Sequence, residues 1–346
     1  MPVGARTAPV GARTAPVGAE AAQGSAGARQ VGARAAQPVP EVAPVIGERR
    51  QLINVAYRLL GSMADAEDAV QEAYARWYAL SGGQQRAIDS PGAWLTTVAI
   101  RVCLSQLGSA RVRREQYVGE WLPEPLPDPA EWNGGRSDTI AFDPVDRVTL
   151  DESVGMALLV VLDSMSPAQR VAFVLHDVFR YPFAEVARIV GRTPAACRQL
   201  ASSARRRVRA SRALSAPTAR DAAVVRDLKR AWEASDINAL VGLLDPQATA
   251  VGDGGGLVST LRRPLRGGET IARHLVRLPR RPSGTTLVEC TVNGRPGLVG
   301  REGGAVVTVY AFDVARDRIR HLWAVRNPEK LRSWAPSSAA AWTTVP

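Results

Sequence analysis

Lysine is nearly missing from this chain. Two of its 44 basic side chains are lysines, Lys229 and Lys330, so almost all positive charge sits on arginine. Cysteine and histidine are equally scarce, with three of each, and Cys103, Cys197 and Cys290 lie far apart in apolar segments. That spacing excludes a CxxC redox motif and a shared metal site, and leaves free buried thiols as the simple reading. No apolar run is long enough for a membrane-spanning helix. The first residues, rich in Gly, Pro, Ala and Arg, lack the apolar centre of a secretory signal. A cytoplasmic protein that uses no membrane, metal or cofactor is therefore expected. What is present in excess is positive charge, a net +11, which points to a polyanionic partner. The arginine and alanine bias also matches the codon usage of a GC-rich genome, so charge alone does not decide the function.

Residues 2–36 repeat a seven-residue unit: PVGARTA twice, then PVGAEAA and the degenerate VGARAA. Each unit carries a Pro and a Gly and lacks two apolar seam positions, which excludes a coiled coil; residues 1–45 are expected to be a disordered tail. Residues 46–118 read as a small helical domain, with order beginning near Glu48. Leu52, Val55, Ala56, Leu59 and Leu60 share one helical face. The next helix has Asp65 placed to cap it, a stripe of Val70, Tyr74 and Trp77, and Glu67, Gln71 and Arg76 on the other side. Ser90-Pro91 opens a third helix that runs into ARVRRE. Residues 119–149, beginning with EWLPEPLPDP after Gly119, read as an extended linker. Residues 150–212 are helical again, with a capping box at Ser166–Gln169, a helix FAEVARIV ended by Gly191, and a fourth helix capped by Thr193-Pro194. After a linker at 213–220, residues 221–332 place helices first and alternating apolar runs afterwards. That order predicts an α+β domain with an antiparallel sheet, followed by a tail at 333–346. The expected fold is multidomain: two all-α domains, then an α+β domain.

FAEVARIV–GRT–PAACRQLASSARRRV has the two short helices and tight glycine turn of a helix-turn-helix. Val186, Ile189, Val190, Cys197, Leu200, Ala204 and Val208 can face a common core. Arg198, Gln199, Ser202 and Arg206 then fall on the opposite face of the second helix. Arg and Gln suit guanine and adenine edges in the major groove, and Ser202 and Arg205 suit phosphates. No Asp or Glu occurs between Glu185 and Asp221, while nine arginines do. A merely solvated helix pair would mix signs, so the stretch predicts DNA binding. A repressor or activator would share the motif.

AYRLLGSMADAEDAVQEAYARWY resembles region 2 of extracytoplasmic-function sigma factors, and residues 150–212 resemble their region 4. WLPEP at 121–125, DGGG at 253–256, NGRPGLV at 293–299 and NPEKL at 327–331 resemble one subgroup, which carries a SnoaL-like domain of the NTF2 fold after region 4. The resemblance spans residues 48–332. It implies that the acidic helix, with Asp65, Glu67, Asp68, Gln71 and Glu72, docks on the β′ clamp helices of core RNA polymerase. Arg101, Arg111, Arg113 and Arg114 would meet the −10 element of promoter DNA, and Arg198, Gln199, Ser202, Arg205 and Arg206 the −35 element. The linker would thread toward the RNA exit channel. Trp94 reads as core rather than as a base-stacking platform. Ser105 and Gly108 stand where relatives commonly carry an Asp and an Arg, and Glu120 where they carry a Pro.

NTF2-like domains also serve as cyclases and isomerases. Alternation puts Ile319, His321, Trp323 and Val325 on one face, read as the inner one, so His321 is a candidate to line a pocket; no Asp–His pair can be assigned, and catalysis is not expected. The glycines of 254–256 read as a turn needing positive φ. The subgroup resemblance implies instead regulation in cis, with Asp253, Gly254, Gly255, Gly256, Asn327, Pro328 and Lys330 forming the contact and an unknown small ligand as an open partner. The competing classes are a polymerase-independent regulator and an enzyme with a DNA-binding arm.

Overall fold

The computed structural model describes residues 43–115, 117–128, 154–211, 217–278 and 285–335, with side chains from residue 48 in the first run and none described at 110–115. The repeat tail, most of the linker and the side chains of Arg111, Arg113 and Arg114 lie outside the described residues.

Region 46–115 builds on α1 (Ala43–Leu60), α2 (Met63–Tyr78), α3 (Gly82–Arg86) and α4 (Pro91–Glu115). The first helix begins earlier than the reading near Glu48. The cap of α2 is Ser62 rather than Asp65: its hydroxyl accepts the Asp65 N–H at 3.2 Å, and Asp65 sits inside the first turn, where its charge meets the helix dipole. The five residues of α3 are closed by a capping box between Ser81 and Gln84 that the pattern did not announce. Leu52, Leu59, Val70, Trp77 and Leu95 are buried together. Trp94 is half-buried, edge-on to Trp77 at 5.4 Å, as a core residue would be.

The second helical group comprises α5 (Met156–Asp163), α6 (Pro167–Phe173), α7 (Phe183–Val190) and α8 (Pro194–Ser211). The Ser166 and Gln169 capping box forms as expected. After Phe173 the helix widens into a π-turn over Val174–Val178. Gly191 closes α7 in the left-handed conformation, φ 69°, and the Thr193 hydroxyl accepts the Ala196 N–H at 3.2 Å.

The C-terminal part runs α9 (Ala219–Glu233), α10 (Ile237–Leu243), β1 (Leu244–Asp253), β2 (Leu265–Arg266), α11 (Gly268–Arg277), β3 (Thr286–Val292), β4 (Arg295–Glu302), β5 (Ala305–Ala315), β6 (Arg318–Val325) and a 3₁₀ segment, Pro328–Trp334. This is the α+β architecture expected. The sheet order is β2-β1-β6-β5-β4-β3. It is mixed rather than purely antiparallel, because β1 pairs in parallel with β6. Such a pairing requires a long crossover, which α11 and β2–β5 supply. One sheet face packs on α9–α11 through Trp232, Leu275, Leu298, Tyr310 and Leu322. The other carries Val292, Val299, Val309, Trp323 and Val325, which join the same apolar cluster as Leu59, Leu122 and Val174. The helical parts and the sheet therefore share a continuous core.

A register shift in the β5–β6 ladder near Asp313 and Val314 separates Ile319 from His321. Ile319 lies in the helix-facing cluster and Trp323 in the other, so the expectation of a single face for Ile319, His321, Trp323 and Val325 is corrected. His321 stacks on Trp323 at 5.6 Å and meets Thr249 Oγ1 at 2.7 Å. The bulge is invisible to a strict period of two.

Candidate nucleic-acid interface

The helix-turn-helix buries Val186, Ile189, Cys197, Ala201, Ala204 and Val208, with Val190 and Leu200 half-buried at its edge. With that stripe inward, Arg198, Gln199, Ser202 and Arg206 are all exposed on α8. Arg198 is steadied by the Phe183 ring, 5.7 Å from its guanidinium carbon. Arg205 is half-buried, 3.5 Å from Asp177 in the π-turn. Arg207, by contrast, is spent on structure: its Nη1 donates to the Ser164 carbonyl at 2.8 Å.

On α2, Asp68, Gln71 and Glu72 form an exposed ridge at helical spacing, while Asp65 and Glu67 are half-buried. Glu72 pairs with Arg76. Arg101 on α4 is exposed, yet its guanidinium donates to the Arg188 carbonyl of α7 at 3.2 Å. The segment expected to face the −10 element thus rests directly on the helix-turn-helix. Another bond joins the two helical groups: buried Arg170 donates to the Leu59 carbonyl of α1 at 2.7 Å, while within its own group it donates to Asp163 at 2.9 Å, and burial pulls its pKa down to about 10.

The residues singled out near the DGGG and NPEKL motifs converge. Asp253, at the end of β1, is fully buried. Its Oδ2 accepts the Leu122 N–H at 2.9 Å and Lys330 Nζ at 2.7 Å; its Oδ1 accepts the Tyr117 hydroxyl at 2.6 Å and the Gly255 N–H at 3.0 Å. Lys330 Nζ also donates to the Leu122 carbonyl and lies over the Trp121 ring, 4.2 Å from its centroid. Asn327 caps the Pro328 segment through the Glu329 N–H at 3.0 Å, and its Nδ2 donates to the Tyr117 hydroxyl at 2.9 Å. A Cβ on Gly255 would stand 2.4 Å from that Asn327 amide, and Gly255 and Gly256 both hold positive φ. The turn therefore requires glycine for space as well as for conformation.

Sequence reasoning missed the other half of this latch, which lies in the linker. Residues 122–126 are buried instead of free. Glu124 N–H donates to the Gly61 carbonyl at 2.8 Å, and its Oε2 accepts the Met63 N–H at 2.7 Å, at the start of α2. Tyr57 donates to the Glu124 carbonyl at 2.7 Å and receives Asn293 Nδ2 at 2.8 Å. Trp334 Nε1 donates to the Pro125 carbonyl at 2.8 Å. Burial pushes the Glu124 carboxyl up to about 7 against the pull of the Met63 N–H and Lys330. The signal available in the sequence was the density of Trp, Glu and Pro in WLPEP, which was read as an extended linker and as a subgroup motif but not as a packing surface.

Among the described residues no group of His, Cys, Asp and Glu could hold a metal ion, and no helix is long and apolar enough to cross a membrane. Cys103 and Cys197 are buried and Cys290 is half-buried, all as free thiols.

An exposed face of Arg, Gln and Ser on a recognition helix, joined to a second helical bundle with an acidic ridge, defines a DNA-binding transcription protein. The Sigma-70 region 2 family model matches residues 46–113, and the Sigma-70 region 4 model matches residues 155–208. The chain is 40% identical over 303 residues to the ECF RNA polymerase sigma factor SigJ of Mycobacterium tuberculosis, covering 84% of this chain and 93% of that protein. It is 34% identical over 284 residues to the probable ECF RNA polymerase sigma factor SigI of the same species, covering 82% and 92%. The crystal structure of M. tuberculosis SigJ superposes with a TM-score of 0.66 at 36% identity, covering 86% of this chain and all of that one. The chain belongs to the extracytoplasmic-function RNA polymerase sigma factors, proteins of promoter-specific transcription initiation.

Proposed function

We propose that this sigma factor docks on the β′ clamp helices of core RNA polymerase in the cytoplasm through Asp68, Gln71 and Glu72, flanked by Asp65 and Glu67. It reads the −35 element with Arg198, Gln199, Ser202, Arg205 and Arg206, and the −10 element with Arg101, Arg111, Arg113 and Arg114. The observation that supports the −35 assignment is the uniform exposure of Arg198, Gln199, Ser202 and Arg206 opposite a buried stripe on α8. The C-terminal domain regulates in cis and is not used as an enzyme. Positions −10 and −35 are about 25 base pairs apart, on the order of 80 Å along B-DNA. In the closed arrangement the Arg101 guanidinium touches α7, so the two readers cannot span a promoter until α4 and α7 part. Asp253, Gly254, Gly255, Gly256, Asn327, Pro328 and Lys330 hold the linker between region 2 and the sheet, and so hold that closed state.

The test is transcription from a library of promoter fragments with core polymerase and the full chain, against the chain ending at residue 212. Promoter-specific initiation whose output changes on truncation is the expected result. Unaltered output would remove the cis role. Tight binding to a palindrome without polymerase would favour a free-standing regulator instead.

A further inference from the structure

The geometry points to a binding site for a phosphorylated small molecule with an apolar body, in the cavity between α1 and the helix-turn-helix, where it competes with −35 DNA for Arg205. The cavity encloses about 520 Å³, within the range of small-molecule sites. Arg58 reaches it from α1, and Arg180, Arg205 and Arg209 from the region 4 side; Asp177 is the single carboxylate among its described lining residues. Four arginines line this partly enclosed space, where an anion is favoured more than in open water, and planar guanidinium donors match phosphate oxygens; that of Arg58 also lies over the Phe179 ring at 5.1 Å. The floor is apolar, with Leu158, Phe173 and Val208 buried beneath the charges. A basic rim over an apolar floor suits a molecule that carries both an anionic head and an apolar body.

Arg180 provides independent support. It closes the π-turn at φ 62°, with the Tyr181 N–H reaching back to the Leu175 carbonyl at 2.9 Å. Glycine is the usual residue at such a left-handed closure, because a Cβ is penalised there. The next helix end, at Gly191, makes the same closure with glycine. An arginine in a conformation that costs backbone energy, at the lip of a cavity, is an outlier of the kind that marks a functional position. Arg205 is already held by Asp177, but at 3.5 Å, longer than a strong charge-assisted bond. A phosphate can displace that carboxylate.

Competition with DNA rests on the −35 reading of Arg205; the site itself does not. The test titrates the full chain with inorganic pyrophosphate by calorimetry, and follows its displacement of 1-anilinonaphthalene-8-sulfonate by fluorescence. Arg180→Gly relieves the backbone, so it should raise the thermal midpoint while weakening pyrophosphate about tenfold or more, the loss of one charge-assisted contact. Arg209→Ala should weaken it as well. Absence of binding, or binding indifferent to both variants, overturns the site, and tighter binding of decanoate than of pyrophosphate overturns the phosphate assignment. Competition between saturating pyrophosphate and promoter duplex, at matched ionic strength, completes the proposal. Site-dependent binding without that competition supports the site and refutes the −35 role of Arg205.

Discussion

Asp253 has no exposure to water and takes hydrogen bonds from Leu122, Lys330, Tyr117 and Gly255, so the protein replaces its hydration shell. Removing the one cation in that set leaves a buried charge uncompensated. Lys330→Met should therefore destabilise the full chain by about 3–5 kcal/mol, read as a lower urea midpoint, and adding Asp253→Asn should recover part of the loss. Lys330→Arg should not restore stability, because a compact ammonium fits among Asp253, the Leu122 carbonyl and the Trp121 ring where a planar fork would not. This gives one of the two lysines in an arginine-dominated sequence a physical reason. Glu124 adds a pH dependence of definite sign. Its carboxyl is raised from 4.5 to about 7 in the folded chain. Between those values the folded form keeps a proton that the unfolded form has lost, so this group lowers stability as pH rises through the window. His321 has its pKa lowered by burial and works in the opposite direction below its ordinary value. The comparison must therefore be between variants. Wild type should lose stability relative to Glu124→Gln between pH 5 and pH 8 in urea titrations, by on the order of a few kcal/mol at most. Parallel curves would show that Glu124 does not titrate in this range.

At the scale of elements, α8 and α2 present chemically opposite faces. Arg198→Ala and Gln199→Ala should each cost about 1–3 kcal/mol and relax sequence preference at one −35 position. Arg205→Ala, which removes the side chain suited to phosphate, should weaken all sequences more evenly. Competition binding with single-base variants of the promoter separates these outcomes. Reversing Asp68 and Glu72 to lysine should cut polymerase affinity and leave duplex binding and thermal stability nearly unchanged, because both residues are exposed. The faces of these helices were legible in the sequence because a period of 3.6 sorts Val186, Ala204 and Val208 from Arg198 and Arg206 without further information. Caps at Ser166 and Thr193 were legible for the same local reason. Asp65 was misjudged as a cap because Ser62, three residues earlier, takes that position and accepts the Asp65 N–H itself. The parallel β1–β6 pair, the bulge near Asp313 and the burial of WLPEP depend on contacts between distant residues, such as Asn293 with Tyr57, and nothing local announces them. The candidate site was legible to the same extent: Asp253 and Lys330 could be named, but not the Tyr117, Trp121 and Glu124 that meet them.

Across the whole molecule, the latch and the α4–α7 contact describe one closed arrangement seen from two sides. The start of the linker is held by Asp253 of β1, Asn293 of the β3–β4 turn and Trp334 of the 3₁₀ segment, and by Tyr57 and Gly61 from α1 and its end. On the proposed cis-regulatory reading, opening would require residues 117–128 to leave both partners together, a cooperative step rather than a hinge motion. A reversible tether tests whether that step precedes promoter engagement. Arg101→Cys and Arg188→Cys place thiols on α4 and α7, where the native pair is in hydrogen-bond contact. The native Cys103 is buried with its thiol pushed up to about 12, and Cys197 is buried as well, so neither competes. Cys290, half-buried, is changed to Ser in the background. A cleavable bis-maleimide across the new pair should leave polymerase binding intact, since the α2 ridge stays exposed, and should hold initiation well below that of the untethered double variant, which already lacks the Arg101 contact, until the tether is cut. Full initiation by the tethered chain would mean that α4 and α7 need not separate, and the closed arrangement would then have no regulatory meaning.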